Sequence, residues 1–226
     1  LKLSNIGFTK IDSFEKNELR FIKDKLEEYS KISSKNYRLN LDINDEIIIY
    51  TNNLLQKNES LISTLRGYFK SNYLITEINV FRNKHFKKDN NKELINENFH
   101  CDHYKKTMVK LFVNLSNVTR ENGPLEIFAK ENTKKIIENG FKDRNNYGDS
   151  KKILDDTNLK FINIGDIGHS FLCNTTECLH RASIPHENCQ RDMLAVTLFK
   201  DFSNELNPLR FKNEINKSLA KKLGKL

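Results

Sequence analysis

The stretch Thr107-Met108-Val109-Lys110-Leu111-Phe112-Val113-Asn114-Leu115 alternates as a strand does. Side chains of an extended chain point to opposite faces with period two. Val109, Leu111, Val113 and Leu115 therefore share one face, and Met108, Lys110, Phe112 and Asn114 share the other. The first set is wholly apolar and reads as the face packed against a core. The second mixes a lysine and an asparagine with apolar groups, which suits the inside of a mouth where ligands sit.

Working outward from this strand, further β signals flank it on both sides. Residues 75–81 alternate loosely and are rich in β-formers, and residues 83–98, almost all polar, read as a surface loop. Downstream, Asn122-Gly123-Pro124 is a turn signal before a short strand at 125–128. A short helix is expected at 133–140, capped by Asn132 or Thr133 and stopped by Gly140, and residues 144–156 read as a loop. Strands are expected at 159–164, 167–172 and 193–199. Toward the amino terminus, residues 7–11 read as a strand. Helical spacing predicts helices at 14–29 (N-cap Ser13), 44–55 and 60–69. Phe211, Ile215, Leu219 and Leu223 recur at i+4 in a basic tail, read as a terminal helix docking on the core. Helices first and then some eight short strands fit two packed sheets: a mainly β, jelly-roll-like fold with flanking helices. We expect a single domain over 1–226, with a mainly helical part at 1–74, a β core at 75–202 and a tail helix at 203–226.

With 226 residues the chain is long enough for one sizeable core. No apolar run approaches the ~20 residues needed to span a bilayer, and no basic-then-apolar leader opens the chain, so a cytoplasmic location is the expectation. The formal charge of +8 is spread among many asparagines and glutamates rather than gathered in one run, so no nucleic-acid partner is expected. That charge favours an anionic small-molecule substrate. The four cysteines, Cys101, Cys173, Cys178 and Cys189, are too few and uneven for a disulfide framework and read as reduced thiols. With His180 and His186 the last three form a Cys/His-rich window, which leaves a zinc-stabilised binding module for an acidic partner as an alternative.

The chemistry-bearing stretch precedes the alternating strand. In Phe99-His100-Cys101-Asp102-His103-Tyr104, His100 and Asp102 are two apart, so an extended chain projects both to one face while Cys101 points away. A distant third ligand, His180 in Cys178-Leu179-His180, would complete a two-histidine, one-carboxylate set that leaves coordination positions open and suits iron(II). Arg191 follows eleven positions later, and a planar guanidinium suits an anionic cosubstrate.

These residues, with the segment Asn117-Val118-Thr119-Arg120-Glu121-Asn122-Gly123-Pro124-Leu125-Glu126-Ile127-Phe128, Gly165-Asp166 and Leu179-His180-Arg181-Ala182, resemble the non-haem iron(II), 2-oxoglutarate-dependent oxygenases. Within them the chain resembles the phytanoyl-CoA dioxygenase-like family, over about residues 75 to 200 and in the expected order. The resemblance implies a double-stranded β-helix (jelly-roll/cupin-like) core. Fe(II) would be bound by His100, Asp102 and His180, and Arg191 would pair the distal carboxylate of 2-oxoglutarate. It implies a hydroxylase acting on a small molecule and releasing succinate and CO2. Asp102 favours hydroxylation over halogenation, since related halogenases replace that carboxylate with a small residue. The family often carries serine or threonine two residues after the second histidine, where this chain has Ala182, and Asn114 or Lys110 is expected to supply a compensating cosubstrate contact. Tyr104 and Arg181, beside the ligands, are expected to meet substrate, with His103 and His186 as further flanking residues. A non-catalytic domain of the same fold is the remaining alternative.

Overall fold

The computed structural model describes residues 2–32, 37–71, 73–86, 98–102, 108–144 and 146–200. The expected tail helix and Tyr104 lie outside the described residues. The alternating stretch forms strand β4 (Met108–Asn114) of a six-stranded sheet. Its other strands are β1 (Phe8–Ile11), β2 (Arg38–Asn40), β3 (Tyr73–Lys84), β7 (Ser170–Cys173) and β9 (Gln190–Lys200), in the order β1-β7-β4-β9-β3-β2. All of these pairings are antiparallel. A second sheet, β6-β5-β8, joins β5 (Leu125–Phe128) to β6 (Lys160–Ile162) and β8 (His180–Ala182). The fold is thus mainly antiparallel β with flanking helices, a jelly roll.

Strand parity sorts the core into three layers. Val109, Leu111 and Val113 of β4 face outward with Leu194, Val196 and Leu198 of β9 and bury against the helices α2 (Arg20–Ile32), α3 (Asp45–Lys57) and α4 (Glu59–Phe69). Phe112, Met193 and Ala195 face inward and meet Leu125, Ile127 and Ala182 of the smaller sheet, forming the layer between the sheets. Phe99, Phe128 and Leu179 form a third cluster outside the smaller sheet. It is closed by α5 (Lys130–Glu138) and α6 (Lys151–Asp155), with Ile136 and Leu154 buried.

The helix starts follow capping chemistry more than apolar spacing. Asn44 Oδ1 accepts from the Ile47 amide at 3.0 Å and Asn58 Oδ1 from the Leu61 amide at 2.9 Å, each satisfying one unpaired donor of a first turn. The expected helix at 14–29 starts instead at Arg20: residues 16–19 form a turn, and the Phe14 amide donates to the Gly168 carbonyl at 3.0 Å. α5 begins three residues before the expected Thr133, whose hydroxyl accepts from the Leu179 amide at 2.9 Å. The expected loop at 144–156 contains α6, and Asn83 and Lys84 belong to β3 rather than to the loop after it. β2 and a first helix α1 (Lys2–Ile6) are additional to the expected elements.

Candidate metal centre

His100 and His180 meet across the mouth of the sandwich. They exchange both backbone hydrogen bonds, each at 3.0 Å, so the chain before β4 extends the smaller sheet by one bridge beyond β8. The two imidazoles lie 4.4 Å apart between ring centroids. Two residues on, Asp102 returns to the same side, its amide donating to the Thr175 carbonyl at 2.9 Å. The ligating atoms of His100, Asp102 and His180 all lie within 4.8 Å of one another, and among the described residues this is the one such group of three.

Backbone carbonyls fix the tautomers. His100 Nδ1 donates to the Asn98 carbonyl at 2.9 Å and His180 Nδ1 to the Cys178 carbonyl at 3.0 Å. A carbonyl only accepts, so both Nδ1 atoms carry hydrogen and both Nε2 atoms are left as ligating atoms. Burial pushes the His180 pKa down to about 4 against the opposing pull of Asp102, and burial lowers that of His100 as well. For Asp102, burial raises the pKa, but the charge of Lys110 and the proximity of His180 outweigh it and bring it down to about 2. At neutral pH the group is therefore two neutral imidazoles and one carboxylate. This donor set fits a divalent first-row cation with coordination positions left over.

Lys110 comes to the site in a different role from the expected one. Its ammonium donates to Asp102 Oδ2 at 2.7 Å, while Oδ1 is the oxygen turned toward His100 Nε2, 3.9 Å away. One carboxylate oxygen is thus held by lysine and the other faces the imidazoles. Asn114 is also committed elsewhere. It donates to the Gly165 carbonyl at 3.2 Å and accepts from Asn163 Nδ2 at 3.1 Å, tying β4 to the turn before β7.

Arg191, the second residue of β9, lies on the inward face, 1% exposed, in register with Asn83 of β3. Its Nε and one terminal nitrogen have no hydrogen-bond partner. Burial pulls its pKa down to about 10; the neighbouring Tyr37 opposes this and Arg38 adds to it. A fully buried guanidinium with unmatched donors is expensive unless an anion meets it.

Arg181 is not brought to the site. It follows His180 on β8 and so points to the opposite face, where it donates to both Glu126 oxygens (2.9 and 3.1 Å) and lies 4.5 Å over the Phe99 ring. Cys101 likewise turns away, against the outer cluster of Phe99 and Leu179, and burial raises its thiol to about 12. Ala182, two positions after His180, faces the inner layer and offers no donor. The Cys/His window does not converge on a metal. Cys173 and Cys178 are buried in the inner apolar layer, Cys178 Sγ meeting the Ile6 carbonyl at 3.8 Å, and Cys189 sits in a turn with its amide on the His186 carbonyl. His103 and Tyr104 lie outside the described residues.

Fold and site together define a double-stranded β-helix with a two-histidine, one-carboxylate donor set at the mouth and a buried arginine on the last strand. No protein-family model and no curated protein sequence matches the chain. Solved structures do match its fold. A non-haem monooxygenase, ThoJ in its apo form, superposes with a TM-score of 0.59 at 12% identity, covering 88% of this chain and 76% of that one. EctD from S. alaskensis, solved with 2-oxoglutarate and 5-hydroxyectoine, gives 0.61 at 13% identity over 91% of this chain and 76% of its own. HygX from Streptomyces hygroscopicus, with nickel and 2-oxoglutarate bound, gives 0.56 at 13% identity over 88% and 85%.

Proposed function

We propose that the chain is an iron(II)- and 2-oxoglutarate-dependent oxygenase that hydroxylates a small molecule. The observation that carries this reading is the convergence of His100, Asp102 and His180 within 4.8 Å in the protonation states a ferrous ion requires. EctD solved with 2-oxoglutarate and HygX solved with iron or with nickel and 2-oxoglutarate support it, and the order of motifs over residues 75–200 supports a phytanoyl-CoA dioxygenase-like relationship.

In this reading His100 and His180 would hold the ion through Nε2 and Asp102 through Oδ1. Lys110 holds Asp102 Oδ2 and so favours a single-oxygen contact. Arg191 pairs the distal carboxylate of the keto acid, a planar fork matched to two oxygens. Bound there, iron(II) and 2-oxoglutarate would supply, with dioxygen, the oxidising equivalents for hydroxylating an unactivated carbon, with succinate and CO2 as the co-products. Phe112, Phe171 and Met193 pack the apolar layer between the sheets. The presence of Asp102 favours hydroxylation over halogenation. A neighbour described as a 2-oxoglutarate-dependent epimerase, SnoN, marks epimerisation as the competing outcome on this fold. The test is succinate release from 2-oxoglutarate: His100→Ala and Asp102→Ala should each abolish it, and its survival in either variant would refute the assignment.

A further inference from the structure

Three inward-facing side chains at one level of the larger sheet share a need for an anion. Arg38 of β2 is in register with Asn83 of β3, and Asn83 is in register with Arg191 of β9, so the three project from adjacent strands to the same face. Arg38 is half-buried. Its guanidinium lies 3.7 Å over the ring of Phe81, and its Nε donates to Asn40 Oδ1 at 2.9 Å. Phe81 faces the inner layer, so this stacking carries the charge toward the interior, beside Arg191. Among the described residues no carboxylate forms a close ion pair with either arginine, and the one whose charge reaches Arg38 is Glu77 of β3. Between them, Asn83 is 1% exposed, and neither its amide nitrogen nor its amide oxygen has a hydrogen-bond partner. Glu77 offsets part of the charge of Arg38, but Arg191 and the unmatched amide have no such compensation and oppose folding on their own account. The arrangement becomes favourable once a carboxylate accepts from both guanidiniums and from the asparagine amide.

We infer that Arg38 and Asn83 join Arg191 in a three-residue seat for one carboxylate of the dicarboxylate cosubstrate. This rests on the oxygenase reading and adds to it two residues from strands β2 and β3. The seat also accounts for the inward-facing Ala182, which has no hydroxyl to offer: the donor comes from the opposite sheet.

The test is calorimetric titration of the full chain, loaded with nickel(II) as a redox-silent ion, with 2-oxoglutarate and separately with pyruvate, which lacks the distal carboxylate. Arg38→Met should weaken 2-oxoglutarate binding about tenfold or more, Arg38→Lys should weaken it less, and pyruvate binding should be unaffected by either. Asn83→Ala should weaken 2-oxoglutarate about fivefold or more. In the unliganded protein it should leave thermal stability unchanged or raised, because it removes an unmatched buried amide. Binding of 2-oxoglutarate within about twofold of the parent in both Arg38→Met and Asn83→Ala would overturn the seat. So would equal losses for pyruvate and 2-oxoglutarate. If the parent protein binds neither keto acid, the oxygenase reading itself fails, an outcome distinct from the first two.

Discussion

Acid should unfold the metal-free protein through His180. Its imidazole is fully buried beside His100, and burial brings its pKa from the ordinary 6.5 down to about 4. In the unfolded chain it regains the ordinary value. Between those two values the unfolded state therefore binds a proton that the folded state does not, and stability falls as pH falls. The contribution is intact above about pH 6.5 and is lost by about pH 4; at 1.36 kcal/mol per pH unit it totals about 3 kcal/mol, of which about 2 is gone by pH 5. His100 shifts in the same direction and adds to the loss. Asp102 acts lower down: with its pKa lowered from 3.8 to about 2, its contribution persists above the ordinary value and disappears only below it. Urea unfolding of chelator-treated protein, followed by circular dichroism near pH 7 and near pH 5, measures the effect. The parent should lose about 2 kcal/mol or more over that interval, and His180→Gln should lose about 2 kcal/mol less than the parent. Equal losses in parent and variant would refute burial of a neutral His180 as the cause.

Other consequences are independent of the metal. Asp192 holds Arg82 through two contacts of 2.7 Å, with side chains 2% and 5% exposed on the helix-facing side of the larger sheet. Asp192→Asn leaves that guanidinium with Glu27 as its one carboxylate, beside the Ser30 hydroxyl, and should cost about 3–5 kcal/mol in denaturant unfolding, with an unchanged dependence on denaturant. Gly168 sits at φ +90°, and an added Cβ would collide with the Phe14 carbonyl oxygen. Gly168→Ala should cost more than about 1 kcal/mol by thermal melting. Arg181→Met should leave 2-oxoglutarate affinity within about twofold of the parent, since the side chain lies outside the smaller sheet; a tenfold loss would return Arg181 to the site.

The parts of the molecule that could be read from the chain are those where one local rule decides. Period-two alternation placed Val109, Leu111 and Val113 against the helices and Lys110, Phe112 and Asn114 inside. The same rule brought His100 and Asp102 to one side and turned Cys101 away. Applied to β8 it would also have excluded Arg181, the neighbour of His180 on the opposite face; proximity in sequence was the weaker guide. Parity fixed the face of Lys110 and Asn114 but not their partners. Those depend on Asp102, from the chain before β4, and on Asn163 and Gly165, some fifty residues beyond Asn114. The three-residue strand β2 carries no periodic signal of its own and exists because β3 offers it an edge, so the inward-facing position of Arg38 could not be read from the chain. Asn83 read as part of a polar loop for the same reason: a polar residue on a strand is recognised only when what it faces is known.

If His100, Asp102 and His180 hold a ferrous ion to which a keto acid chelates, anaerobic titration of the metal-free protein with iron(II) and 2-oxoglutarate will report it. A weak visible charge-transfer band should appear only when both are present and should be absent from Asp102→Ala. No band in the parent protein, or an equal band in the variant, would rule out this site.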